Sequence, residues 1–193
     1  IADVLNDWMN KGGSYEEAAV LYRSNAQSRA IEEALLRVSI PYRIYGGLRF
    51  YERLEIKNAI AYLKVIFNNN DNPSFERSIS NPTRGVGEKT LAKIRNAAKQ
   101  YNISYIKASA KLIDEGSISG RGGSGLRDYL EFIAGCKSFI EENLLSELME
   151  LIIKESGLYA YHAKEPGEKG KTRTENLEEL ITATKNFEQS IEE

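Results

Sequence analysis

The sequence contains little of the chemistry that catalytic and metal sites use. Its 193 residues include one cysteine, Cys136, and one histidine, His162. One cysteine cannot form an internal disulfide or a multi-thiolate metal site. Any histidine-based site would depend on His162 alone, and its surroundings favour a surface loop. Acidic pairs such as Glu32-Glu33 lie in helical patterns, where solvation explains them. We therefore predict no catalytic residue and no metal site.

Long apolar runs and an excess of one charge are also lacking. No run approaches the roughly 18 apolar residues of a membrane-crossing helix, so we expect no membrane contact. The net charge is −2, so any contact with nucleic acid must come from local patches. The hydrophobic content of 41% supports a packed core. Because the chain starts at Ile1 with no signal-peptide pattern, we expect a piece of a longer, cytoplasmic protein.

The first part of the chain is predicted to be α/β. An apolar stripe indicates a helix over residues 1–11. A continuous apolar run over 18–22 is typical of a buried parallel strand, and residues 42–45 alternate like a second strand. Between them lies a helix that Ser24 or Asn25 can cap.

After the glycine pair at 46 and 47 the pattern becomes helical throughout. We therefore predict two units, a small α/β unit over residues 1–47 and a helical unit over 48–193. Glycine absorbs large backbone changes at low cost, so we predict a hinge at Gly46 and Gly47. The predicted fold class is mainly α, with a small α/β piece first. The helical patterns of the second unit cover residues 49–67, 73–80, 91–98, 103–113, 126–139, 144–153 and 172–187.

The stretch over 81–90, Asn-Pro-Thr-Arg-Gly-Val-Gly-Glu-Lys-Thr, joins two of these helices. Gly85 and Gly87 can adopt positive φ and leave no Cβ in the way of an approaching group. The amides that follow start a helix, where unpaired N–H groups and the helix dipole suit a phosphate. We interpret the stretch as a helix-hairpin-helix that grips a nucleic-acid backbone. The alternative is a helix–helix turn that uses glycine twice. Only Glu88 opposes the nearby cations, which are Arg84, Lys89, Lys93, Arg95 and Lys99.

Two other glycine-containing stretches imitate nucleotide-binding motifs. Residues 120–125 satisfy G-x-G-x-x-G, but no strand precedes them, so we predict a flexible loop and leave open a second, weak phosphate contact. Gly170-Lys171-Thr172 resembles the end of a P-loop, but Glu165 stands where that motif needs glycine. We predict no cofactor site at either stretch.

Four blocks of sequence, in order, resemble the UvrD/PcrA/Rep-type superfamily 1 DNA helicases, and UvrD and PcrA most. Leu-Tyr-Arg-Ser-Asn-Ala-Gln-Ser-Arg at 21–29 resembles motif IV of the second RecA-like lobe. Residues 42–57 resemble the connection into the inserted helical subdomain 2B. Residues 82–87 resemble its duplex-binding hairpin, and 167–180 resemble a later helix of the same insertion.

The resemblance implies a parent protein that is an ATP-dependent 3′ to 5′ DNA helicase of DNA repair or replication, using ATP and Mg²⁺. This chain has no Walker A loop, no Asp-Glu metal motif and no C-terminal arginine motif. We therefore expect it to hold no cofactor and to hydrolyse no ATP by itself. The implied partners are a single-strand/duplex DNA junction bound without regard to sequence, the remaining lobes of the same protein, and repair proteins.

The resemblance also implies particular contacts. Arg23 and Asn25 would touch the single strand, although Asn25 could instead only cap a helix. A regulatory or protein-interaction module remains the alternative to DNA binding. The residues that would meet the duplex backbone are Thr83, Arg84, Gly85, Val86, Gly87, Lys89 and Thr90.

Overall fold

The computed structural model describes residues 1–45 and 47–192. Within these ranges the chain forms α-helices and three short 3₁₀ turns, but no β-strand, which confirms that the protein is mainly α. None of these helices combines the length and apolar character needed to cross a membrane.

Short connections join the helices, and the 3₁₀ turns cover Tyr15–Glu17, Asn25–Gln27 and Phe50–Glu52. The α-helices are α1 (Ala2–Asn10), α2 (Ser28–Arg37), α3 (Leu54–Phe67), α4 (Asn72–Ser80), α5 (Glu88–Tyr101), α6 (Tyr105–Asp114), α7 (Gly120–Phe139), α8 (Leu145–Glu155), α9 (Leu158–Ala163) and α10 (Glu168–Glu192).

The two predicted strands are absent from the described residues. Residues 18–22 and 42–45 have no regular structure, and Leu21 and Tyr45 are 94% and 88% exposed. A strand needs a neighbour that pairs with its N–H and C=O groups, and no ladder is present within 1–45 and 47–192. The prediction of buried strands was wrong for this chain, and the α/β character of residues 1–47 is not confirmed.

A single apolar core holds the helical unit together. It begins at Phe50 and includes residues from α3 through α10. Its centre is aromatic, with the rings of Phe75 and Tyr129 in an edge-to-face contact at 5.4 Å and those of Tyr62 and Tyr129 at 6.1 Å. The hydroxyls of Ser78 and Tyr129 lie 2.6 Å apart, so the buried polar tip of that ring is satisfied.

Helix α7 starts six residues before the predicted position, within the glycine-rich stretch. The prediction of a flexible loop there was wrong. Glycine is a poor helix former, but close packing stabilises this helix start. A Cβ at Gly123 would lie 2.9 Å from the carbonyl oxygen of Ile118, and one at Gly125 would lie 1.9 Å from that of Arg84. Only glycine fits where these backbones meet.

The region around His162 also differs from the prediction. His162 is fully buried on α9, where a surface loop was predicted. This short helix packs against α8 and α10, and α10 begins at Glu168, four residues before the helical pattern predicted over 172–187. His162 Nδ1 lies 2.7 Å from Glu165 Oε1. That hydrogen bond, followed by contacts from Lys169 and Arg173, lowers the pKa of Glu165 to about 2.

Candidate nucleic-acid interface

The glycine turn at 81–87 joins α4 to α5, as the sequence predicts. Helix α4 starts at a side-chain cap, where Asp71 Oδ1 accepts a hydrogen bond from the Ser74 amide at 2.9 Å. The two flanking helices pack on different neighbours, α4 mainly on α3 and α5 mainly on α6. The turn therefore projects between two parts of the helical unit.

The two glycines of the turn have different roles. Gly85 has φ of +75°, a conformation that side chains disfavour. Gly87 has φ of −93° and ψ of 178°, so it does not use the positive φ that glycine can adopt. A Cβ added at Gly87 would have no atom within 4 Å. The surface over Gly87 is therefore open to an approaching group.

The amides at the start of α5 provide hydrogen-bond donors. The helical bonding begins with the amides of Thr90 and Leu91, which both donate to the carbonyl of Gly87 at 2.9 and 3.0 Å. The five amides from Gly85 to Lys89 have no acceptor within residues 1–45 and 47–192. Five neighbouring donors at the positive end of a 14-residue helix can bind an anion such as a phosphate.

Arg84 is directed into the protein. Its Nη2 donates to the Tyr62 hydroxyl at 2.7 Å and to the Ser156 carbonyl at 2.9 Å. Its guanidinium carbon lies 5.8 Å from the ring centres of both Tyr62 and Tyr129. Tyr62 in turn donates to the Asn81 carbonyl at 2.9 Å. The side chain thus fastens the turn to the core, while its contact with DNA stays a prediction.

The other predicted cations differ in their availability. Lys89 is exposed in the first turn of α5, and Lys99 is exposed in its last turn. Lys93 donates to the Ser117 carbonyl at 2.9 Å. Arg95 pairs with Glu76 at 2.6 Å and also with Glu88. Because Arg95 neutralises Glu88, that carboxylate opposes an anion at the turn less than the sequence suggests.

The turn also contacts the start of α7, which was not predicted from the sequence. A Cβ at Gly122 would lie 3.2 Å from the Gly85 carbonyl and 3.5 Å from the Thr90 hydroxyl, and Arg121 lies against Gly85. Gly122 and Gly125 are three residues apart and so lie on one face of the helix. That spacing was the available signal for a helix that packs against another backbone.

Arg23 and Asn25 lie at a 3₁₀ turn before α2, and both are exposed. The Gln27 side chain accepts hydrogen bonds from the amides of Arg23 and Ser24, each at 3.1 Å. Gln27 therefore satisfies these two amides. Helix α2 has Gln27 at its N-cap position and no side-chain cap hydrogen bond among the described residues, so the alternative that Asn25 caps it was wrong. Asn25 lines a cleft of about 470 Å³ together with Lys169 and Thr172 of α10.

Hydrogen bonds and ion pairs connect this turn to the helical unit. Arg53 donates to the Asn25 carbonyl at 2.8 Å, to Ser28 Oγ at 2.7 Å and to Asn176 Oδ1 at 2.8 Å. Burial lowers the pKa of Arg53. Arg29 pairs with Glu179 at 2.6 Å. We call these side chains the polar joint, with members Ser28, Arg29, Glu32, Arg53, Glu55, Asn176 and Glu179.

The predicted hinge lies beside the polar joint. Gly47 is exposed in a bend, and Gly46 lies outside the described residues. Among the described residues before Phe50, none belongs to the apolar core, although Leu35 and Ile40 are buried outside it. The division of the chain at 47/48 stays a prediction.

The structure thus has a helical unit with an exposed glycine turn, and polar contacts connect this unit to the exposed 3₁₀ turn that carries Arg23 and Asn25. Comparison with known proteins identifies the family that has this arrangement of sequence. Residues 1–119 match the family model described as UvrD-like helicase C-terminal domain. This match covers more than half of the 193 residues, and the chain belongs to that family.

Curated relatives include both proteins that the sequence resembles. The chain is 44% identical over 193 residues to DNA helicase II of Escherichia coli (strain K12), which covers 100% of this chain and 27% of that protein. It is 47% identical over 187 residues to DNA helicase II of Haemophilus influenzae, covering 97% and 26%. It is 38% identical over 175 residues to the ATP-dependent DNA helicase PcrA of Leuconostoc citreum, covering 91% and 23%. The chain thus spans about a quarter of the length of these relatives.

Proposed function

We propose that this chain is the duplex-gripping part of an ATP-dependent 3′ to 5′ DNA helicase that acts in DNA repair or replication. In this proposal α4, the turn and α5 work as a helix-hairpin-helix. They hold the sugar–phosphate backbone of the duplex beside its junction with single-stranded DNA. Such contacts position the protein and carry no sequence information.

One observation carries the proposal. The turn combines five amides that have no acceptor among the described residues, an open surface at Gly87 and an exposed cation at Lys89. Thr83, Val86 and Thr90 complete the contacting stretch. The backbone of Arg84 belongs to it, whereas its guanidinium supports the turn from inside.

A second contact, with the single strand, is proposed at Arg23 and Asn25. Both are exposed at the 3₁₀ turn before α2, and the amide group of Asn25 is not used as a cap. Arginine offers a charged donor for a phosphate, and asparagine offers both a donor and an acceptor. The polar joint fixes the backbone of this turn through the bond from Arg53 to Asn25.

ATP and Mg²⁺ belong, in this proposal, to the intact helicase. The remaining helicase lobes are then partners of this chain, repair proteins are further candidates, and the cytoplasm is the expected compartment. We expect no ATP hydrolysis from the 193-residue chain alone. A DNA-stimulated ATPase activity of the purified chain would contradict this expectation.

A regulatory module is the second candidate function, and the polar joint favours it. Side chains that exchange hydrogen bonds for water separate more readily than a packed apolar interface, so the two units could change orientation. In that case the helical unit would control activity and bind DNA weakly.

A binding titration separates the two functions. We would measure the affinity of the chain for a single-strand/duplex junction at 50 and 200 mM salt, with two unrelated duplex sequences. DNA gripping predicts equal affinity for both sequences and a steep loss with salt. Affinity that is weak and indifferent to salt would reject gripping and favour the regulatory module.

A further inference from the structure

We propose that Arg121, at the start of α7, is a further contact to the DNA backbone at the hairpin turn. This inference rests on the proposed function of that turn. Arg121 lies outside the stretch that the family resemblance assigns to the duplex, and 34 residues separate its position from Gly87 in the sequence.

The side chain of Arg121 lies against the glycine turn. The atoms Cγ, Cδ and Nε of Arg121 lie 2.9, 3.4 and 3.4 Å from where a Cβ of Gly85 would be. The side chain therefore runs across the backbone of the glycine at the tip of the turn. Gly85 has positive φ and no side chain, and both features allow this contact.

The starts of α5 and α7 lie side by side at the turn. Gly122 follows Arg121 and lies beside both Gly85 and Thr90, so the first turns of α7 and α5 are neighbours. The bond from Lys93 to the Ser117 carbonyl brings a second cation of α5 to the connection that precedes α7. Lys89 and Lys93 are four residues apart and share a face of α5.

The charge of Arg121 is available to an anion at the turn. Within the described part of the chain Arg121 is exposed and forms no ion pair, so its charge is not already neutralised. Residues 117–127 contain no acidic side chain. Since the guanidinium of Arg84 is directed inward, Arg121 takes the place at the turn that the sequence alone gives to Arg84. Arginine suits this role because its planar group binds phosphate through two N–H donors.

The experiment compares charge at two positions of the same helix. Arg121→Gln keeps the aliphatic stem against Gly85 and removes the charge, whereas Arg121→Lys keeps the charge. Arg127→Gln is the control, because Arg127 is exposed on α7 but lies about 120° around the helix from Arg121. The probe is a duplex with a 3′ single-stranded tail, titrated between 50 and 200 mM salt.

Affinity falls as salt rises, so the slope of log affinity against log salt is negative. We expect Arg121→Gln to make this slope shallower by about 0.9, and Arg121→Lys and Arg127→Gln to leave it unchanged. The affinity ratio between the two salt concentrations then falls about 3.5-fold for Arg121→Gln. In the Arg121→Lys variant, bound DNA should also protect the new amine from acetylation, which mass spectrometry detects.

Lys89→Gln separates failure of this inference from failure of the proposed function. If Lys89→Gln makes the salt slope shallower and Arg121→Gln does not, the turn binds DNA without Arg121, and the inference is wrong. If neither substitution changes the slope, or the unsubstituted chain does not bind, both the proposed function and the inference are wrong.

Discussion

The apolar core and the polar joint are two regions of one molecule that are stabilised by different interactions. The core from Phe50 to Leu180 is built of aliphatic and aromatic side chains at helical spacing. The polar joint consists of buried charged and amide groups from distant parts of the sequence, such as Arg53 and Asn176. Burial of apolar surface is non-directional, whereas buried charges need specific partners. A change in the core should therefore act on the whole unit, and a change in the joint should act locally.

The largest expected effect is a cavity in the core. Phe75→Ala removes a ring that is 1% exposed and contacts Tyr105 and Tyr129. We expect the free energy of unfolding to fall by about 3–5 kcal/mol, measured by urea denaturation. The matched control is Phe67→Ala, because Phe67 is 61% exposed and should change stability by less than about 0.5 kcal/mol. Equal effects would mean that the core does not control unfolding.

A substitution in the polar joint should lower the free energy of unfolding nearly as much as Phe75→Ala does, but its effect should be confined to the helices beside the joint. Arg53→Ala leaves the acceptors on Ser28 and Asn176 without their donor, and it removes the positive charge that lies near Glu32 and Glu55. Breaking such a buried charge network costs about 3 kcal/mol. We expect faster amide hydrogen exchange in α2, with α7 and α8 unchanged. Uniformly faster exchange would show that the polar joint and the core unfold together, and it would contradict the expectation that a change in the joint acts locally.

A smaller loss of stability is expected where the hairpin turn packs against α7. The Cβ of Gly125→Ala would lie 1.9 Å from the Arg84 carbonyl, so we expect a loss of about 1–3 kcal/mol. Gly135→Ala, on the same helix, has no atom within 4 Å and should stabilise by about 0.5–1 kcal/mol. Thermal unfolding of both variants measures the difference. Stabilisation by both would mean that the turn does not pack on α7.

The smallest expected effect concerns pH. The pKa of Glu165 is lowered to about 2, against about 4.3 for an unperturbed glutamate. A lowered folded-state pKa means that the stabilisation is present above pH 4.3 and disappears as the pH falls through about 2. Glu165→Gln should remove this part of the acid dependence in urea denaturation between pH 4.5 and 2. Exposed Glu131→Gln should keep it, and identical profiles for both variants would contradict the assigned contacts.

Much of the helical unit could be predicted because local patterns determine it. The spacing of Leu91, Ile94 and Ala98 gives the buried face of α5, and all three are buried in the structure. The glycines at 85 and 87 give the position of the turn. Only the first has positive φ, because tertiary packing decides which residue of a turn takes that conformation.

The features that the sequence did not predict all depend on distant partners. The inward direction of Arg84 depends on Tyr62 and on Ser156, which are 22 and 72 residues away in the sequence. The helical start of α7 depends on the hairpin backbone that it contacts at Gly125. The predicted strands need pairing partners that residues 1–45 and 47–192 do not supply. Short-range periodicity contains none of this information.

The central claim, that the hairpin turn holds a DNA backbone, is tested most directly by the salt dependence of two lysine variants of α5. Lys89 lies in the first turn of this helix, and Lys99 lies about 15 Å further along it, so the two differ mainly in distance from the turn. We predict that Lys89→Gln makes the negative slope of log affinity against log salt shallower by about 0.9 for a single-strand/duplex junction, and that Lys99→Gln leaves it unchanged. Equal slopes for both variants and for the unsubstituted chain, with all three folded, would contradict the claim.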